Sequence, residues 1–129
     1  MNKRINISSE TDWERKVGYS RVVKTGNQIF VAGTTAVDEK GNIIGIGDVY
    51  KQTEYVILKI EKFLNKAGAT LENVVRTRMF VVNIEDWEEI AKAHNKFFKN
   101  IKPVATMIEV NGLINSDLLI EMEIDAIIT

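Results

Sequence analysis

Three carboxylates at every second position, Glu121, Glu123 and Asp125, are the residues of this 129-residue chain best spaced for chemistry. They interrupt an apolar run, Leu118-Leu119-Ile120-Glu121-Met122-Glu123-Ile124-Asp125-Ala126. Strand side chains alternate between faces, so the three acids share one face while Ile120, Met122 and Ile124 share the other. A carboxylate on a pocket-facing strand can orient a water and relay a proton, as hydrolysis of a carbonyl-type or imine carbon requires. The competing role is structural: Arg76 and Arg78 stand two apart in a second strand-like run and suit ion pairs across a sheet. On the residues alone, the structural role fits at least two of the three acids. A small-residue stretch precedes them, Lys102-Pro103-Val104-Ala105-Thr106-Met107-Ile108-Glu109-Val110, opening at the chain's only proline.

Few other groups compete for a chemical role. With no cysteine there are no disulfides, thiolate nucleophiles or cysteine-ligated zinc. His94 is the only histidine, so any Ser-His-Asp triad or histidine-anchored metal site must use it. It falls where the apolar stripe of a helix passes, which suits a partly buried histidine bonded to a neighbour. No His-x-x-x-His or clustered ligand pattern points to a metal. Gly45-Ile46-Gly47-Asp48 lacks both the third glycine of a dinucleotide fingerprint and any Gly-Lys-Ser/Thr, and reads as a strand end and turn. Trp13, Trp87, Phe97 and Phe98 read as packing residues, since no basic residues interleave with them as in a base-stacking platform. The 17 basic and 18 acidic side chains give a net charge of −1, against a general nucleic-acid binder. No run approaches a membrane span, and the N-terminal residues lack a signal-peptide core, so a cytoplasmic location is expected.

The elements that must position these residues follow from periodicity. Residues 1–129 read as one domain with ordinary apolar (45%) and charged (27%) content. After a polar start, 19–24 and 28–37 read as a hairpin about Thr25-Gly26-Asn27. A turn at 38–42 leads to a third strand over 43–46. Asp48 caps a helix whose apolar stripe is Val49, Thr53, Val56, Ile57, Ile60, Leu64 and Ala67, stopped at Gly68. A strand over 74–82 follows. Asp86-Trp87-Glu88-Glu89 carries a capping-box pattern, opening a second helix with Trp87, Ile90, Ala93 or His94, and Phe97 buried. The order β-β-β-α-β-α-β-β, with right-handed crossovers, puts both helices on one face of a mixed sheet. The strands are apolar on both faces, which predicts a closed homo-oligomer covering the second.

The ordered series Tyr19-Ser20, Val31-Ala32-Gly33, Gly47-Asp48 with Gln52-Thr53, Ala67-Gly68-Ala69, Lys102-Pro103, Ile108-Glu109-Val110 and Ile120-Glu121-Met122-Glu123 resembles the RidA/YjgF family from about Gly18 to Ala126. The resemblance implies an α+β, chorismate-mutase-like fold: a mixed sheet with two helices on one face, assembled as a homotrimeric barrel with small pockets at subunit interfaces. It implies hydrolysis of enamines and imines such as 2-aminoacrylate without a cofactor. Carried over by residue, Tyr19, Gly33 and Thr106 line the pocket and Glu121 orients the hydrolytic water. One position departs. Where active members have Pro-x-Arg-Ser/Thr, with the arginine gripping the substrate carboxylate, this chain has Pro103-Val104-Ala105-Thr106, and Ala91 replaces a supporting helix asparagine.

A guanidinium offers a carboxylate a planar, bidentate fork worth roughly 1.5–3 kcal/mol, which Ala105 forfeits. Little 2-aminoacrylate deaminase activity is therefore expected, unless Arg15 or Arg78 supplies a replacement cation. Two functions remain: a divergent hydrolase of C–N bonds keeping Glu121 but taking a neutral or differently anchored substrate, or a non-catalytic small-molecule binder or sensor on the same trimer. An RNA-related role, endoribonuclease or translation inhibitor by old family labels, is a minor third reading that the balanced charge and lone histidine weigh against.

Overall fold

In the computed structural model, which describes residues 3–129, the acidic strand lies inside a six-stranded sheet. The strands are β1 (Arg4–Ile7), β2 (Val22–Thr25), β3 (Gln28–Thr35), β4 (Val74–Val81), β5 (Val104–Glu109) and β6 (Ile120–Ile127). Their order across the sheet is β1-β2-β3-β6-β4-β5. All neighbours are antiparallel except β4 and β5, which are parallel because α3 (Trp87–Phe98) crosses between them.

The longest helix, α2 (Val49–Lys66), forms for the reasons its sequence suggests. The Asp48 side chain accepts from the Lys51 amide at 3.0 Å, and Gly68 takes φ 84° just past the end, a conformation costly for other residues. Val49, Thr53, Val56, Ile57, Ile60 and Leu64 are buried against the sheet. Gln52 is also buried and escapes an apolar periodicity because it is polar. Its amide donates to the Asp117 carbonyl at 2.8 Å and accepts from the Leu119 N–H at 2.8 Å, fastening the entry of β6 to α2. A buried amide satisfied on both ends is a directional lock, which apolar packing is not.

Several expectations are corrected. Residues 43–46 form no strand; only an isolated bridge joins Val37 and Ile43. Gly41, Gly45 and Gly47, at φ 85°, 69° and 77°, turn the backbone out of the extended region. The polar start holds both β1 and a short helix, α1 (Asp12–Val17), capped by Thr11 and ended by Gly18 at φ 87°. Asp86 makes no side-chain cap bond; it ends a 3-10 turn, Ile84–Asp86, that Asn83 caps instead. Trp87 is 53% exposed, and the buried stripe of α3 is Ile90, Ala93 and Phe98.

The sheet separates its residues by parity. Val74, Thr77, Met79 and Val81 of β4 and Ile120, Met122, Ile124 and Ala126 of β6 are buried on the helix side. The other side carries Arg76, Arg78, Glu121, Glu123 and Asp125 together with apolar Phe30, Phe80, Val104 and Ile108. Phe30, Val104 and Ile108 are exposed at 42%, 58% and 48%. That face is a mixture of charge and hydrocarbon, rather than the uniformly apolar surface the strand sequences suggest.

Candidate active site

Two of the three carboxylates are structural. Arg78 Nη1 lies 3.4 Å from both Glu123 and Asp125, and Arg76 Nε lies 3.6 Å from Asp125, cross-strand pairs set by the β4–β6 register. Among the described residues, Glu121 has no such partner. It is half-buried where β6 pairs with Thr35 and Phe80.

A β-bulge shapes its surroundings. The register between β3 and β6 shifts between Val31 and Thr34, leaving Ala32 and Gly33 opposite a single residue. Gly33 meets the Glu121 carboxylate so closely that a β-carbon there would overlap it. The Gly33 carbonyl accepts a hydrogen bond from Arg21 Nη2. The Arg21 guanidinium carbon lies 5.7 Å from the Tyr19 ring and 5.8 Å from that of Phe63 on α2. Burial pushes the Glu121 carboxyl above the usual carboxylate range; the Arg21 charge pulls it back and Glu123 pushes it further up. Tyr19, Gly33 and Glu121 thus come together, with Arg21, which sequence reasoning missed, at their centre. An arginine beside a strand start carries no signal distinguishing it from a solvated one.

The other candidates lie apart. Ala105 pairs with Thr77 and so projects to the helix side, while Thr106 pairs with Arg78 on the open side. Glu121 is on the open side too, so within one chain Ala105 and Glu121 face opposite ways. Arg15 is exposed and paired with Asp12, its neighbour three residues back in α1. Arg78 is held by Glu123 and Asp125.

Two open hollows border these groups. One, of about 470 Å³, is lined on the open face by Tyr19, Ser20, Phe30, Ala32, Arg78 and Asp125, among others. The second, of about 510 Å³, lies between α3 and β5 and includes Ala91, His94, Phe98, Pro103 and Met107. His94 Nε2 is 2.9 Å from Thr77 Oγ1, its ring centroid 4.6 Å from that of Phe98, and burial holds its imidazole below its ordinary range. Glu121 and Ala105 line neither hollow. Among the described residues, no group of three or more His, Asp or Glu side chains could hold a metal ion, and no helix is long and apolar enough to cross a membrane.

One mixed six-stranded sheet with its long helices packed together matches the α+β fold of YjgF-family structures. A family model described as Endoribonuclease L-PSP matches residues 11–128, leaving β1 outside. A RutC family protein of Pyrococcus abyssi is 37% identical over 105 residues, covering 81% of this chain and 82% of that one. The 3-aminoacrylate deaminase RutC of Acinetobacter baylyi is 29% identical over 104 residues, covering 81% and 82%. The crystal structure of a YjgF/YER057c/UK114 family member from Mycobacterium tuberculosis matches with a TM-score of 0.88 and 41% identity, over 98% of this chain and 100% of that one. The chain belongs to the RidA/YjgF family.

Proposed function

We propose that this protein hydrolyses imines or enamines without an accessible carboxylate, using Glu121 to orient the attacking water, in a pocket completed between subunits of a homotrimer. The observation carrying this reading is the Glu121 carboxylate held against the Gly33 backbone, without an ion pair among the described residues and raised in pKa by burial. The similarity to a 3-aminoacrylate deaminase supports C–N hydrolysis as the reaction class. The opposite orientations of Ala105 and Glu121 support the trimer: a pocket bounded by both positions needs two chains. Ala105 and Ala91 leave such a pocket without the arginine and asparagine that the family resemblance would place there.

The test is ammonia release from 2-aminoacrylate generated in situ and from imines lacking a carboxylate. Wild type is expected to act on the second group, and Glu121→Gln to lose about 10²-fold or more. Ala105→Arg is expected to raise 2-aminoacrylate turnover about ten- to a hundredfold. Equal rates for wild type and Glu121→Gln would refute the role given to Glu121.

The same loss at Ala105 favours a second reading, a non-catalytic small-molecule binder, which predicts thermal stabilisation by small neutral ketones with no turnover. The endoribonuclease wording of the family description finds little support in the site. The single imidazole is bonded to Thr77, and the charge balance is near zero.

A further inference from the structure

Arg21 is only 7% exposed, yet among the described residues no carboxylate lies within ion-pair distance of it. One of its nitrogens, Nη2, donates to the Gly33 carbonyl, while Nε is buried with no hydrogen-bond partner among the described residues. A buried guanidinium lacking both an ion pair and a full set of acceptors is costly, so its retention needs a reason. Its surroundings supply one. The Gly33 carbonyl faces Arg21, and the Gly33 α-carbon faces the Glu121 carboxylate, so the cation and the acid flank a single residue. The bulge between Val31 and Thr34 creates this arrangement by taking Gly33 out of the ladder with β6.

We propose that Arg21 is a positioning residue of the Glu121 site, a counter-charge supplied from inside the fold that opposes the cost of burying the Glu121 carboxylate and holds Gly33 against it. The inference rests on the reading of Glu121 as the functional acid, and it places the site's cation behind the pocket wall, where a substrate carboxylate cannot grip it.

Other charges around the pair do not take over this role. Glu14 of α1 is buried and within electrostatic reach of Arg21; hydrogen bonds from Ser9 and Thr11 hold it below the usual carboxylate range despite its burial, so it shares the Arg21 charge from the side of α1. Lys59 of α2 adds a like charge; its ammonium donates to the Thr35 and Val37 carbonyls at 3.1 and 2.7 Å. On β6, Glu123 is held by Arg78. The Tyr19 ring lies against the guanidinium on the side of the loop after α1. Arg21 thus faces two acids, Glu14 and Glu121, and of these Glu121 is the one on the β3–β6 bulge.

The experiment is a carbon-13 NMR titration of the glutamate carboxyls in wild type, Arg21→Met and Arg21→Lys, with Glu121→Gln assigning the resonance. Removing the cation is expected to raise the Glu121 midpoint by about one pH unit or more, and lysine to restore most of the difference. An unchanged midpoint in folded Arg21→Met overturns the proposal. Should Arg21→Met not fold, the neutral Arg21→Gln and Glu121→Gln are combined in a double-mutant cycle by urea denaturation. Coupling between the two sites supports the proposal, and additive effects overturn it. Both readouts are independent of turnover, so a protein that releases no ammonia still tests Arg21, while an unmoved titration leaves the hydrolase reading standing.

Discussion

Gly33 separates function from stability at the scale of one residue. Its side-chain position is occupied by the end of a flexible glutamate, and its backbone is not left-handed, so alanine there displaces Glu121 instead of straining the chain. Gly33→Ala should cost roughly 1 kcal/mol in urea denaturation, yet abolish turnover about as fully as Glu121→Gln. A variant with wild-type rates would show that the close approach has no functional meaning. Lys59 gives a pH signature. Burial and the Arg21 charge lower its ammonium from its ordinary value to about 8, with Asp38 opposing. Between about pH 8 and 10.5 the unfolded chain then binds more protons at this site than the folded one, so stability rises with pH through that window. Below it, the full cost of a desolvated charge is borne. The stability of wild type relative to Lys59→Met should therefore increase from pH 7.5 to 10, measured by urea midpoints; a constant difference would contradict the burial of the charge.

Elements were legible where their signals were local. The stripe of α2, its Asp48 cap and its Gly68 stop all lie within one 21-residue window, and the structure reproduces them. Asp48→Ala, which frees the Lys51 amide, should cost about 1 kcal/mol with little change in the slope of the urea transition. Strand β1 gave no such signal. Three of its four residues are exposed, and it exists through pairing with β2 some twenty residues onward, a non-local cause invisible to a sequence window. The missing strand at 43–46 fails for the reverse reason: β-branched residues suggested extension, but the glycines beside them set the backbone.

At the scale of the molecule, β5 is one of the two edge strands of the sheet, and its Val104, Ala105, Thr106, Ile108 and Glu109 are exposed. An unprotected edge with apolar side chains invites association. Light scattering should give about three times the 14.6 kDa chain mass, and Ile108→Asp should shift it toward one. A wild-type mass of one chain would remove the proposed inter-subunit pocket.

The candidate site divides along the same line. Alternation alone placed Glu121, Glu123 and Asp125 on one face and offered Arg76 and Arg78 as partners for at least two of them, because strand parity is a property of consecutive residues. The family resemblance, which selected Tyr19, Gly33 and Glu121, was likewise carried by the order of residues along the chain. Tertiary structure alone decided that Gly33 sits in a bulge against Glu121, that Arg21 is buried behind them, and that Ala105 faces away from Glu121. Those facts depend on how β3, β4, β5 and β6 are registered against one another. Registration is settled by packing between segments far apart in sequence, which no local pattern encodes.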